Sequence, residues 1–144
     1  MKVSVNRVKN REEENAVLNV ADMNDSVINA IGLLENGEQT VIGYLDGKKI
    51  PCRISSIYYV ESVDDKCFAY TKDGCFEVKN RLYELEQIFD FRFIRISKSM
   101  ICNLRKIKSV KADGNSRLVA TLLNGEEVVI SRSYVKDIKK RLGL

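Results

Sequence analysis

The 144-residue sequence has no His, no Trp and a single Pro. Without imidazole there is no Ser-His-Asp or Cys-His nucleophile, no HExxH metal site and no zinc site built on His. Any enzymatic chemistry would have to come from carboxylates, Lys, Tyr or Cys. The scarcity of Pro, with 44% hydrophobic and 8% aromatic residues, excludes a disordered or collagenous chain. No apolar run approaches the roughly 20 residues of a membrane span. Met1-Lys-Val-Ser-Val is not followed by the apolar stretch of a secretory leader, so the mature chain is expected to begin there and to be cytoplasmic. Phosphate-cradling glycine loops are missing too, because Gly32, Gly37, Gly43 and Gly47 have neither GxGxxG nor GxxxxGK[ST] spacing.

The four cysteines, Cys52, Cys67, Cys75 and Cys102, form no CxxC pair, and three lie in apolar, strand-like runs. They read as reduced core or half-buried residues, with no metal site and no cofactor implied. Asp64-Asp65, followed by Lys66 between two strand-like runs, reads as a hairpin turn and not as a catalytic carboxylate pair. The expectation is a protein without catalysis.

What is present is an uneven charge. The formal net charge of +4 is the remainder of 24 basic and 20 acidic residues. Residues 1–50 hold 6 basic against 8 acidic side chains and residues 51–90 hold 5 against 8, whereas residues 91–144 hold 13 against 4, a net +9. Such a local cationic surface is the footprint of a chain that meets a polyanion, or of a solvated basic face.

Apolar periodicity predicts an α+β chain, mostly antiparallel β. Two alternating stretches, 2–8 and 16–20, read as strands joined by the charged run Lys9–Glu14. A helix capped by Asn24 or Asp25 follows, with Val27, Ile28, Ile31 and Leu34 on one face and Gly37 after its last turn. Asp46-Gly47 joins two further strands. Residues 1–50 thus read as a small β-β-α-β unit. Residues 51–144 read as a second unit of short strands: 54–61, 66–71, 75–78, 91–96, 100–102, 107–110, 117–122 and 127–130. It also holds a short helix capped by Asn80 and a basic helix over 133–142. A phosphoacceptor receiver domain of roughly 120 residues has no room ahead of it.

In the basic third, the cations sit at element ends. Lys98 lies in the polar break Ser97-Lys98-Ser99 after Arg95, and Arg132 lies where the last strand meets the basic helix. Loops and helix starts add backbone N–H groups and the hydroxyls of Ser97, Ser99, Ser131 and Ser133, all suited to phosphate oxygens. Arg132 has the fork for bidentate guanine contact, whereas Lys98 is a point charge. No two predicted helices are adjacent, so a helix-turn-helix is excluded and a duplex would be met by loops and strand ends. An alternative reading is a protein-interaction or ligand-sensing module whose basic face meets an acidic partner.

Five segments carry a family resemblance: Ile57-Tyr58-Tyr59-Val60-Glu61-Ser62, Leu82-Tyr83-Glu84-Leu85-Glu86, the run from Phe93 to Ile107, the Asn124-Gly125 turn, and Val129 to Lys136. In order and spacing they resemble the LytTR DNA-binding domain, over about residues 50–143. The resemblance implies a mostly β domain that inserts loops into successive major grooves of repeat-containing promoter DNA. It implies a transcription regulator, dimeric at least on DNA. It places contacts in three regions. The first loop contributes Lys66 or Cys67, and the next strand end with its loop contributes Arg95 and Lys98, flanked by Ser97 and Ser99. The start of the last helix contributes Arg132 or Ser133, with Lys136 closing the matched segment. Family members often carry imidazole in the first two loops and a second Arg where Ser133 stands, and this chain departs from both. Asn103 also matches and reads as a turn residue bonding its own backbone. Residues 1–50 resemble the small extension of stand-alone members, which implies packing against the DNA-binding domain, regulation or dimerisation through the Val27, Ile31 and Leu34 face. Such members often accompany a small membrane protein, so an operon-encoded membrane protein is an indirect partner that the resemblance implies.

Overall fold

The computed structural model describes every residue except Glu38, and of Asn36 only the backbone. Residues 1–24 carry a single 3-10 turn, Arg11–Glu13, and neither of the two strands expected there forms. Alternation alone does not hold an isolated two-stranded hairpin together, which needs a third strand or a helix to cover its apolar face. Here Val3, Val5 and Val17 stay more than 75% exposed.

Helix α1 (Asp25–Asn36) starts where Asn24 Oδ1 accepts the Val27 N–H at 3.0 Å and ends at Gly37, whose φ of 66° is left-handed. Its expected free face is corrected: Val27 is buried and Ile31 half-buried, and the exposed apolar side chains are Ile28, Leu33 and Leu34. Strands β1 (Thr40–Leu45) and β2 (Lys48–Arg53) form a hairpin through Asp46 and Gly47, both at positive φ. The expected unit boundary at residue 50 falls inside β2, and β1 pairs with the later strand Gly74–Val78 of the main sheet.

The remaining elements are β3 (Tyr59–Val63), β4 (Lys66–Thr71), β5 (Gly74–Val78), α2 (Leu82–Ile88), β6 (Phe93–Ser97), β7 (Met100–Asn103), β8 (Ile107–Asp113), β9 (Arg117–Leu122), β10 (Glu127–Ile130) and α3 (Arg132–Leu142). The strand expected from Ile54 begins at Tyr59, because Ile54–Ser56 is a 3-10 turn that buries Ile54. Arg81, not Asn80, precedes α2, where the Glu84 carboxylate accepts the Arg81 N–H at 3.0 Å.

All strand pairs are antiparallel. Seven strands form one sheet in the order β2-β1-β5-β4-β3-β7-β6, and three form a second in the order β10-β9-β8. Around β3, β7 and β6 the large sheet is covered on both faces. Val60 and Ile101 join α2 residues Leu82 and Leu85 in one core, while their neighbours Tyr59 and Cys102 join Leu118, Ile130 and Ile138 of the second sheet and α3 in the other. This is the period-2 consequence of a sheet between two layers.

Among the described residues, Asn103 is the one buried polar residue, 1% exposed. Its Oδ1 accepts the Arg105 N–H at 3.0 Å, the turn bond expected from sequence. Its Nδ2 also donates to the Ile57 carbonyl at 3.0 Å, tying β7 to the segment before β3. Asn103→Ala is expected to cost about 2–3 kcal/mol, because two buried backbone groups lose their partner; urea unfolding measures it.

A second tie joins the sheets: Tyr59 stacks on Tyr70 with centroids 4.4 Å apart and donates its hydroxyl to Glu126 at 2.8 Å. Burial, and then the Glu126 carboxylate, hold the Tyr59 phenol well above its ordinary range. Burial, and then Cys75, push Tyr70 up to about 12. Both stay protonated in the fold while the unfolded phenols ionise near pH 10, so their contribution is intact below about pH 10 and falls as the pH rises further. The unfolding midpoint is expected to decline past that pH, and less steeply in Tyr59→Phe.

Candidate nucleic-acid interface

The site is built from turns at one end of the large sheet. The β3–β4 turn, Asp64-Asp65, has φ of 51° and 63°, a conformation Asp tolerates better than most residues. It presents Lys66, which is exposed. The β6–β7 turn is shaped by Ser97, whose hydroxyl accepts the Ser99 N–H at 3.2 Å, leaving Lys98 and Ser99 exposed. Backbone bonds hold these turns to their neighbours. The Ser62 N–H donates to the Ser99 carbonyl at 2.8 Å, joining the first two. The Ser131 N–H donates to the Ile96 carbonyl at 2.9 Å, setting the start of α3 beside the end of β6. Lys66, Lys98 and Arg132, 66 positions apart in sequence, thus lie along one edge.

The first turn of α3 exposes Arg132 and Ser133, with Lys136 exposed one turn on. The Ser131 side chain makes no capping hydrogen bond, so N–H groups of this turn point outward, as suits an oxyanion.

Two expected contact residues are corrected. Cys67 is 4% exposed and packs in the core on the α2 side, because alternation along β4 turns it inward when Lys66 points out. Burial also pushes its thiol pKa up. Arg95 is spent internally: its guanidinium pairs with the Glu86 carboxylate of α2 and donates to the Lys98 carbonyl. It braces the turn that presents Lys98.

Arg117 was not picked out from sequence. It stands at the base of the β8–β9 turn, ion-paired to Asp113 at 2.8 Å, and with Asn115 and Ser116 it lines a cleft against Arg132. The only sequence signal is a cation just after the Asp113-Gly114-Asn115 turn.

A β-rich domain that gathers cations at strand ends, with no two consecutive α-helices among the described residues, defines a class distinct from helix-turn-helix readers. The LytTr DNA-binding domain family profile matches residues 47–143, and the chain belongs to this family. A solved LytTr DNA-binding domain from Bacillus cereus superposes with a TM-score of 0.70 at 30% identity, covering 73% of this chain and 97% of that one. Over the full length, the chain is 33% identical to an uncharacterized HTH-type transcriptional regulator of Staphylococcus aureus (strain bovine RF122 / ET3-1), covering 99% of it. A counterpart in strain MSSA476 is 34% identical over 85% of this chain and 84% of its own. No helix among the described residues is long and apolar enough to cross a membrane.

If Arg95 and Glu86 act as a brace, removing either frees the turn. Arg95→Ala and Glu86→Ala are each expected to speed amide exchange at Lys98 and Ser99 by about tenfold, with global stability nearly unchanged; hydrogen-exchange NMR reads it.

Proposed function

We propose that the protein is a sequence-specific, DNA-binding transcription regulator that lays the turns at one sheet end into the major groove of promoter DNA. The observation that carries this reading is the convergence of Lys66, Lys98 and Arg132 on one edge, held by the Ser62–Ser99 and Ser131–Ile96 backbone bonds. From β4 through β3 and β7 to β6 there are three strand spacings, roughly 14 Å. Arg132 lies beyond β6, so the row exceeds the roughly 12 Å width of one major groove and suits successive grooves, with no reading helix needed. Lys98 supplies a point charge beside Ser97 and Ser99, and Arg132 supplies a bidentate fork for guanine.

Binding to direct repeats as a dimer accompanies this reading. Among the described residues, ten of the 17 large apolar side chains that are exposed lie between Met1 and Leu34. That concentration of uncovered apolar surface supports self-association through the N-terminal arm and α1.

The test is a gel shift on the duplex upstream of the gene against a scrambled duplex, with titration to determine stoichiometry. Two copies per duplex, and log affinity falling against log salt by about 0.9 per phosphate neutralised, are expected. Lys98→Ala and Arg132→Ala should each narrow the preference for the upstream duplex by about tenfold. Equal affinity of the wild-type protein for both duplexes defeats the reading. Loss of all salt-sensitive duplex binding would favour an acidic protein partner for the basic face.

A further inference from the structure

We propose that the cleft between the β8–β9 turn and the start of α3 is a phosphate site. It would take one backbone phosphate of the bound duplex just outside the row of groove-facing side chains. This rests on the DNA-binding reading above and adds a contact on an element, the β8–β9 turn, that the row does not include.

The cleft, about 450 Å³, is lined by Asn115, Ser116, Arg117 and Arg132. Two guanidinium groups from different elements therefore face one space, with an amide and a hydroxyl as neutral donors. Asp113, at the end of β8, pairs with Arg117. It accepts from Arg117 Nη2 at 2.8 Å and from the Asn115 N–H at 3.2 Å. It offsets one of the two positive charges and holds the Arg117 fork in a fixed orientation. A pre-set fork loses little freedom on meeting a second acceptor, and a planar guanidinium matches phosphate oxygens.

Position favours phosphate over a base edge. β10 lies against β6 through Ser131 and Ile96, β9 lies beyond it and β8 is outermost. The β8–β9 turn therefore flanks the row on the far side of Arg132. With turns seated in the groove, what lies beside them is its wall, the sugar-phosphate backbone. Arg117, tied back to Asp113, does not extend to the groove floor.

The experiment measures binding of the full chain to the upstream and scrambled duplexes by fluorescence anisotropy over a range of salt. Arg117→Gln is expected to weaken both duplexes by the same factor, about tenfold, and to reduce the salt slope by about 0.9. Replacing phosphates one at a time with neutral methylphosphonates should reveal one flanking position that weakens the wild-type protein and leaves Arg117→Gln indifferent. Because that variant strands Asp113, the pair Asp113→Asn with Arg117→Gln is measured beside it and should show the same slope loss with a wild-type unfolding midpoint. An unchanged slope in both variants overturns the proposal, as does a loss confined to the upstream duplex, which would make Arg117 a base reader. Wild-type protein that binds neither duplex defeats the DNA-binding reading itself, whereas wild-type binding with unchanged variant slopes defeats the cleft alone.

Discussion

The pairing of β3 with β7 is the constraint on which the cationic edge depends. Each belongs to its own hairpin, β3–β4 and β6–β7, and only their mutual register brings the two hairpin ends level. That register sets Tyr59 opposite Cys102 and Glu61 opposite Met100. A slip of one residue would exchange the faces of Val60 and Ile101 with those of Tyr59 and Cys102, placing aliphatic side chains shaped for one core into the other. Burial on both faces therefore fixes where Lys66 and Lys98 stand, although neither is buried. Asn103 secures the far end of the same pairing, where a slip would leave its amide and two backbone groups unpaired in an apolar surrounding.

The second sheet adds the rest of the edge through a different mechanism. It shares no strand pairing with the large sheet, so its position comes from side-chain packing of Leu118, Ile130 and Ile138 against Ile96 and Cys102, fixed by single polar contacts. Ser131 to Ile96 at the cationic end and Tyr59 to Glu126 are two such contacts. Packing is tolerant of direction and hydrogen bonds are not, so the apolar core supplies adhesion and these bonds supply the alignment. The guanidinium of Arg132 owes its place beside Lys98 to that alignment.

Much of this was legible in the sequence, and the failures have physical causes. Asp46-Gly47, Asn24, Gly37 and the strands from Lys66 onward follow local rules of turn and cap chemistry, which operate over a few residues. The strands expected at 2–8 and 16–20 satisfied the same alternation but have no third partner, and pairing is a property of two segments together. The family resemblance leaves Lys66 and Cys67 as alternatives in the first loop, and the inward-outward parity of β4 separates them, with Cys67 buried. Arg95 was seen as another cation of the basic third, and only the fold reveals Glu86 opposite it. Its charge is already neutralised within the protein. Arg117 shows the reverse: its neighbour Asp113 is legible in sequence, but the approach of Arg132 from another element is not.

The edge is not uniformly basic, and this exposes a competition between backbone and charge. The β3–β4 turn needs left-handed conformations at two consecutive positions, and both are filled by Asp, exposed in the chain next to Lys66. Asn or Gly would satisfy the backbone without charge. Against a polyanion, Asp64 and Asp65 oppose the attraction of Lys66 within a distance shorter than the screening length of roughly 8–10 Å. The β6–β7 turn has no such penalty, since its acidic neighbour Glu86 is paired with Arg95. Attraction is therefore weighted toward the Lys98 and Arg132 end of the row, and the β3–β4 turn contributes shape and hydrogen-bonding groups more than charge.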